Sequence, residues 1–110
     1  MHIVRDLLDN VCDRSITLAE LAHTADMNTF HLVRSFTAAV GISPHAYLLN
    51  RRLQRAQRMI EAGHTIVATA LATGFTDQAH FTRHFLRFLD ITPGRFARSL
   101  PPQRAAPLPR

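Results

Sequence analysis

Apolar positions along the chain recur at helical spacing almost throughout, and polar residues with capping character punctuate them. Over residues 2–13, Ile3, Leu7, Leu8 and Val11 fall on one helical face. Thr17-Leu18-Ala19-Glu20 is a capping box, with Thr17 as N-cap and Glu20 three residues on. It predicts a short helix to about Thr24 with Leu18, Leu21 and Ala22 facing inward. Asp26-Met27-Asn28 reads as a tight turn, and Asn28 is placed to cap a helix from Thr29 to Val40. Gly41 ends it. Ser43-Pro44 then sets an N-cap before a proline at the first helical position. A long helix follows to about Ala62, with an apolar stripe of Ala46, Leu49, Leu53, Ala56 and Ile60, and Gly63 stops it.

The remainder repeats this plan. Thr65 opens a short helix from Ile66 to Thr73, Gly74-Phe75-Thr76 forms a turn, and a helix runs from Asp77 to Leu89 with Phe81, Phe85 and Phe88 on one face. Thr92-Pro93 opens a last short helix to about Ser99. Residues 101–110 carry four prolines and read as a disordered tail. No period-two run or hairpin signal appears. The fold class is therefore all-α, with about seven helices. The expected organisation is a first unit over 1–42, a linking helix over 43–63, a second unit over 64–100 and the Pro-rich tail over 101–110.

The repeat is visible residue by residue. Leu32-Val33-Arg34-Ser35-Phe36 aligns with Phe81-Thr82-Arg83-His84-Phe85, 49 residues later, and Ile42-Ser43-Pro44 aligns with Ile91-Thr92-Pro93 at the same offset. Before the turn the offset is 48, which pairs Met27 with Phe75 and puts one extra residue at the start of the second unit's longer helix. A short helix, a turn of three or four residues and a longer helix make a helix-turn-helix, whose longer helix enters the major groove. A connecting helix of about 19 residues spans ~28 Å, close to the ~34 Å between successive major-groove turns.

Charge narrows the partner. The 110 residues carry a formal net charge of +5, and all 13 basic residues are arginine. Residues 1–26 are about −3 and residues 27–110 about +8, so the charge is uneven along the chain. A basic segment suits a polyanion, and arginine suits bidentate contacts to phosphate and guanine. No apolar run approaches the ~20 residues of a membrane span. The lone Cys12 excludes an internal disulfide, lacks zinc-site partners and suits a reducing cytoplasm. His80 and His84 share a helix face at i, i+4, but no Glu follows His80 directly and no third ligand lies near in sequence, so no metal or cofactor is expected. Glycine-rich phosphate loops, Cys–His pairings and close carboxylate pairs are absent from the sequence, which argues against an enzyme.

The core periodicity leaves opposite faces for contact. In the first reading helix Leu32, Phe36 and Val40 point inward, which leaves Thr29, Phe30, Val33, Arg34 and Thr37 outside. In the second, the outer face carries Gln78, Ala79, Thr82 and Arg83. Arg34 and Arg83 suit guanine O6 and N7, Gln78 suits adenine N6 and N7, and Phe30, Val33 and Ala79 suit thymine methyls. For each arginine the lesser alternative is a phosphate contact or a surface salt bridge. Asn28, His64, Thr65, Thr76 and Thr82 are candidates for holding phosphates near helix N-termini, although Thr65 and Thr76 have a plainer role as N-caps. Arg51, Arg55 and Arg58 share a face of the linking helix, where a solvated face or stem packing competes with DNA contact.

The stretch Gly74-Phe75-Thr76-Asp77-Gln78-Ala79-His80-Phe81-Thr82-Arg83-His84-Phe85, followed by Ile91-Thr92-Pro93-Gly94-Arg95-Phe96, closely resembles the AraC/XylS family signature. The first unit, from Leu18-Ala19-Glu20-Leu21-Ala22 to Gly41-Ile42-Ser43-Pro44, is similar too, as is Arg51-Arg52-Leu53-Gln54-Arg55-Ala56. The resemblance covers about residues 3–99. It implies a seven-helix domain that binds double-stranded operator DNA, activates or represses transcription and touches RNA polymerase. It implies base-contacting residues on the two outer faces named above. In the family this domain usually follows an effector-binding domain, which these 110 residues do not contain. Four positions depart from the family's pattern: Asp26 and Asp90 stand where glycine is frequent, Thr69 where Ile or Val is usual, and Phe96 where Tyr is frequent. The alternative reading is a helical protein-interaction module without DNA binding, which leaves Arg34, Gln78 and Arg83 without a shared purpose.

Overall fold

The computed structural model describes residues 2–10 and 17–101. The readings placed on Val11, Cys12, residues 102–110 and the side chains of Ile3 and Leu7 lie outside the described residues. Seven helices make up the described chain: α1 (His2–Asn10), α2 (Leu18–Thr24), α3 (Thr29–Val40), α4 (Pro44–Glu61), α5 (Ile66–Ala72), α6 (Gln78–Leu89) and α7 (Pro93–Ser99). No strand occurs among the described residues. The chain divides into two compact units, Met1–Arg51 and Arg52–Arg110, so the sequence of α4 is shared between them.

From α2 onward each helix start rests on a side-chain oxygen that satisfies one of the otherwise orphaned N–H groups of the first turn. Thr17 accepts from Glu20 N at 3.1 Å, Asn28 from His31 N at 2.8 Å, Ser43 from Ala46 N at 3.2 Å, Thr65 from Ala68 N at 3.1 Å and Thr92 from Arg95 N at 3.3 Å. The start of α6 departs from the sequence expectation. Asp77, not Thr76, is the N-cap, and its carboxylate accepts from His80 N at 2.7 Å. A carboxylate is the better group here, because it also meets the positive end of the helix dipole.

The repeat is reproduced in the backbone. Thr17 and Thr65 cap the short helices, Asp26 and Gly74 both take positive φ (56° and 87°) in the turns, and Met27 and Phe75 both donate from their N–H to a carbonyl five residues back. The next pair of caps is Asn28 and Asp77. The residue without a counterpart is therefore Thr76. The insertion lies in the turn, ahead of the cap, rather than at the start of the longer helix. From there the offset of 49 holds through Gly41 and Asp90, which both end their helices in the left-handed region, and through Pro44 and Pro93, which are both buried at a first helical position.

In the first unit Val4 and Leu8 of α1, Leu21 and Ala22 of α2, Leu32 and Phe36 of α3, and Leu48 of α4 form one core. Ala25, Met27, Val40 and Tyr47 pack against it. Leu18, expected inside, is 40% exposed. It is the first helical residue, and its side chain lies at the rim while Leu21 and Ala22 one turn on meet the core. The Tyr47 hydroxyl donates to Asp9 Oδ1 at 2.9 Å, and Arg51 Nε lies 3.1 Å from the same oxygen, which ties α1 to α4.

In the second unit the buried residues are Leu53, Ala56, Met59 and Ile60 of α4, Thr69 and Ala70 of α5, Thr73 and Phe75 of the turn, Phe81 and Phe85 of α6, and Pro93. Four aromatic rings run through this core. Phe75–Phe81, Phe81–Phe85 and Phe85–Phe96 have centroids 5.2, 5.5 and 5.7 Å apart, distances typical of favourable ring pairs. Phe88 is only half-buried. On α4 the expected stripe is shifted: Ala46 and Leu49 are half-buried, whereas Leu48 and Met59 are buried.

Candidate nucleic-acid interface

The caps fix where α3 and α6 begin, and the inward pairs Leu32/Phe36 and Phe81/Phe85, all with no exposure, fix their rotation. The outward faces follow. On α3, Thr29, Phe30, Arg34 and Thr37 are exposed and Val33 is half-buried; on α6, Gln78, Ala79 and Arg83 are exposed and Thr82 is half-buried. Four of these have their repeat partner on the same face: Thr29 with Gln78, Phe30 with Ala79, Val33 with Thr82 and Arg34 with Arg83.

The two faces differ in the support given to the arginine. The Arg34 guanidinium carbon lies 5.5 Å from the centroid of the Phe30 ring, a cation–π contact one helical turn apart. Phe30 itself is 66% exposed. On α6 the aromatic is replaced by Ala79, which has no ring for Arg83 to lie on. Beside α3 an open groove is lined by His31, Arg34, Ser35 and Ala38. Sequence reasoning separated Phe30 and Arg34 into two roles and missed that they touch; their i, i+4 spacing carried the signal.

The residues named for phosphate contact separate into three kinds. Asn28 and Thr65 spend their side-chain oxygens on the caps of α3 and α5. Thr76 is exposed just ahead of the α6 cap, so its expected capping role passes to Asp77. His64 is half-buried between α4 and α5, and its N–H donates to the Met59 carbonyl at 3.1 Å. On α4, Arg51 pairs with Asp9, Arg55 Nη1 donates to the Ala72 carbonyl at 3.4 Å, and Arg58 is exposed.

The histidines of α6 have a packing role. His84 Nε2 and His80 Nε2 lie 3.0 Å apart, a hydrogen bond that one ring donates and the other accepts. Both rings rest on Phe75, at 5.5 and 6.2 Å. The His80–His84 pair thus seats the start of α6 on the turn. His31, the repeat partner of His80, is exposed and meets the Phe30 ring edge at 6.5 Å. Among the described residues no group of three or more His, Cys, Asp or Glu is placed to hold a metal ion. No helix among them is long and apolar enough to cross a membrane.

Comparison with known proteins agrees with this geometry. A family model described as a helix-turn-helix domain matches residues 21–99. The regulator MtrA of Neisseria gonorrhoeae, named as an HTH-type transcriptional regulator, is 28% identical over 96 residues, which is 86% of this chain and 32% of that protein. A regulator of Mycobacterium tuberculosis carrying the same description, Rv1931c, is 34% identical over 83 residues, 74% of this chain and 32% of that one. The chain spans about a third of the length of the curated relatives it matches. Among solved structures, a probable AraC family transcriptional regulator from Rhodopseudomonas palustris superposes with a TM-score of 0.83 at 24% identity, covering 92% of this chain and 96% of that one. The DNA-binding domain of AdpA, solved in complex with a target DNA, superposes at 0.82 and 24% identity, covering 87% of each chain.

Proposed function

The chain belongs to the AraC-type helix-turn-helix family, and on that premise we propose that it is a sequence-specific double-stranded-DNA-binding domain of a transcriptional regulator, with no catalytic role. The observation that carries this reading is the repeated outward face. Two helices, each capped by a side-chain oxygen of Asn or Asp and each rotated by a buried i, i+4 pair, present an exposed arginine at the same register, Arg34 and Arg83. In the proposal α3 and α6 lie in successive major-groove turns. Thr29, Phe30, Val33 and Arg34 meet bases in one, and Gln78, Ala79, Thr82 and Arg83 in the other. Asn28, His64, Thr65 and Thr76, at or beside helix starts, approach phosphates through backbone N–H groups and side chains. The solved complex of the AdpA domain with a target DNA supports the nature of the partner. RNA polymerase contact, an effector-binding domain elsewhere in the whole regulator, and a cytoplasmic site of action on the nucleoid complete the reading.

Two measurements test it. The logarithm of affinity for duplex DNA should fall with the logarithm of salt concentration by ~0.9 per phosphate neutralised; absence of duplex binding at low salt removes the proposal in favour of a protein-interaction module. On a site selected from random duplexes, inserting five base pairs between the half-sites turns the second by about half a helical turn. Tight binding by one chain should then be lost, and undiminished binding shows that the two units are not read together.

A further inference from the structure

We infer that the Phe30–Arg34 pair reads a composite element, a guanine next to a 5-methylpyrimidine, and that Phe30 is a positioning residue for Arg34 at the first half-site only. The inference rests on the DNA reading above and deepens it. A free arginine side chain samples many rotamers, and holding it for a bidentate contact costs entropy. Stacking against the Phe30 ring, with the guanidinium 5.5 Å from the centroid, removes part of that freedom before DNA arrives. A guanidinium lying on a ring keeps its in-plane N–H groups available, and those are the groups that meet guanine O6 and N7.

The ring restricts the neighbouring base. Phe30 has no donor or acceptor, so its reading of a base edge is confined to apolar contact, and the apolar feature of the major groove is the pyrimidine C5-methyl group. Positions four apart on a helix rise ~6 Å, and base pairs are ~3.4 Å apart. The guanidinium and the ring, 5.5 Å apart, lie within two base-pair steps of each other and so cover neighbouring base pairs rather than distant ones. Phe30 is 66% exposed on the outer face of α3, so a methyl group can reach its ring. On α6 Ala79 cannot support Arg83 in this way. The second half-site is accordingly read for guanine without the coupled methyl requirement.

The test uses the full 110-residue chain and a duplex selected from a random-sequence pool. Replacing thymine beside the first half-site guanine with deoxyuridine removes one methyl and leaves the hydrogen-bonding edge intact. Affinity should fall about fourfold, the effect of one methyl group left unburied, and a similar difference should separate 5-methylcytosine from cytosine when each is paired with guanine at that position. Phe30→Ala should erase the deoxyuridine effect and also shrink the penalty for 7-deazaguanine at the neighbouring position. Phe30→Leu should retain the methyl effect while losing guanine discrimination. Phe30 is exposed, so the folded helix content of these variants should match the wild type by circular dichroism. Tight duplex binding that is indifferent to deoxyuridine overturns this inference while leaving the DNA reading intact. So does a Phe30→Ala variant that loses affinity equally for selected and random duplexes. Failure to bind any duplex overturns both.

Discussion

The Thr73 hydroxyl donates a 2.7 Å hydrogen bond to the carbonyl of Thr69, while the Thr69 hydroxyl, fully buried one turn earlier, has no hydrogen-bond partner among the described residues. The two threonines lie in the same core but only one is satisfied. A buried hydroxyl without a partner forfeits its hydration with nothing in return, a cost of about 1–3 kcal/mol. Thr69→Val keeps the branched shape and removes the hydroxyl. It should stabilise the protein by about 1 kcal/mol, raising Tm by roughly 4–8 °C for a domain of this size. Thermal unfolding followed by circular dichroism checks this, and an unchanged or lower Tm shows that the hydroxyl is satisfied in solution. Thr73→Val should go the other way, because it deletes a made hydrogen bond.

Gly41 and Asp90 end α3 and α6 with the same left-handed geometry, at φ of 98° and 62°. A Cβ built on Gly41 meets nothing within 4 Å, so substitution there is opposed by the backbone alone. Gly41→Ala should cost about 1–2 kcal/mol, and Gly41→Asn less. Asp90 already bears such a strain, and Asp90→Gly should relieve it and raise the denaturation midpoint. Urea titrations of the three variants decide the matter; a destabilised Asp90→Gly means that the aspartate makes a compensating contact.

Tyr47 has its pKa raised above the ordinary phenol value of 10.0, first by burial, then by its hydrogen bond to Asp9 and that group's negative charge. A group with a raised folded pKa contributes stability in full below its unfolded pKa and loses it as pH rises through the folded one. The protein should therefore lose stability above about pH 10, where the unfolded chain ionises first. Tyr47→Phe should be less stable at neutral pH and should lack this alkaline decline. Denaturant midpoints between pH 8 and 11 check the prediction; parallel curves for the two proteins contradict it.

Arg83 is exposed on α6, with Ala79 one turn before it in place of an aromatic. As a guanine reader, Arg83→Ala should weaken a selected site by about 1–3 kcal/mol and random duplex far less. Fluorescence anisotropy against both probes separates the possibilities. Equal losses reduce Arg83 to a phosphate contact, with a drop in the salt slope of about one phosphate.

Two levels of information account for what was legible beforehand. The chain itself determined the seven helices, the internal repeat and the outward register of Arg34 and Arg83. Capping oxygens, N1 prolines and a period of 3.6 act over a few residues, and their signals are written locally. The tertiary structure decided which apolar residue in a crowded stretch is buried. It placed Leu48 and Met59 inside, left Leu18 at the rim and Leu49 half-buried, and enclosed Thr69 despite its hydroxyl. It also joined Tyr47 and Arg51 to Asp9 across the first unit, whereas the Asp77 cap and the Phe30–Arg34 contact are local and were legible in principle from their i, i+3 and i, i+4 spacings. The burials and the Asp9 contacts depend on where a neighbouring helix or side chain arrives, and burial and rotamer choice are properties of that arrival rather than of any one segment's periodicity.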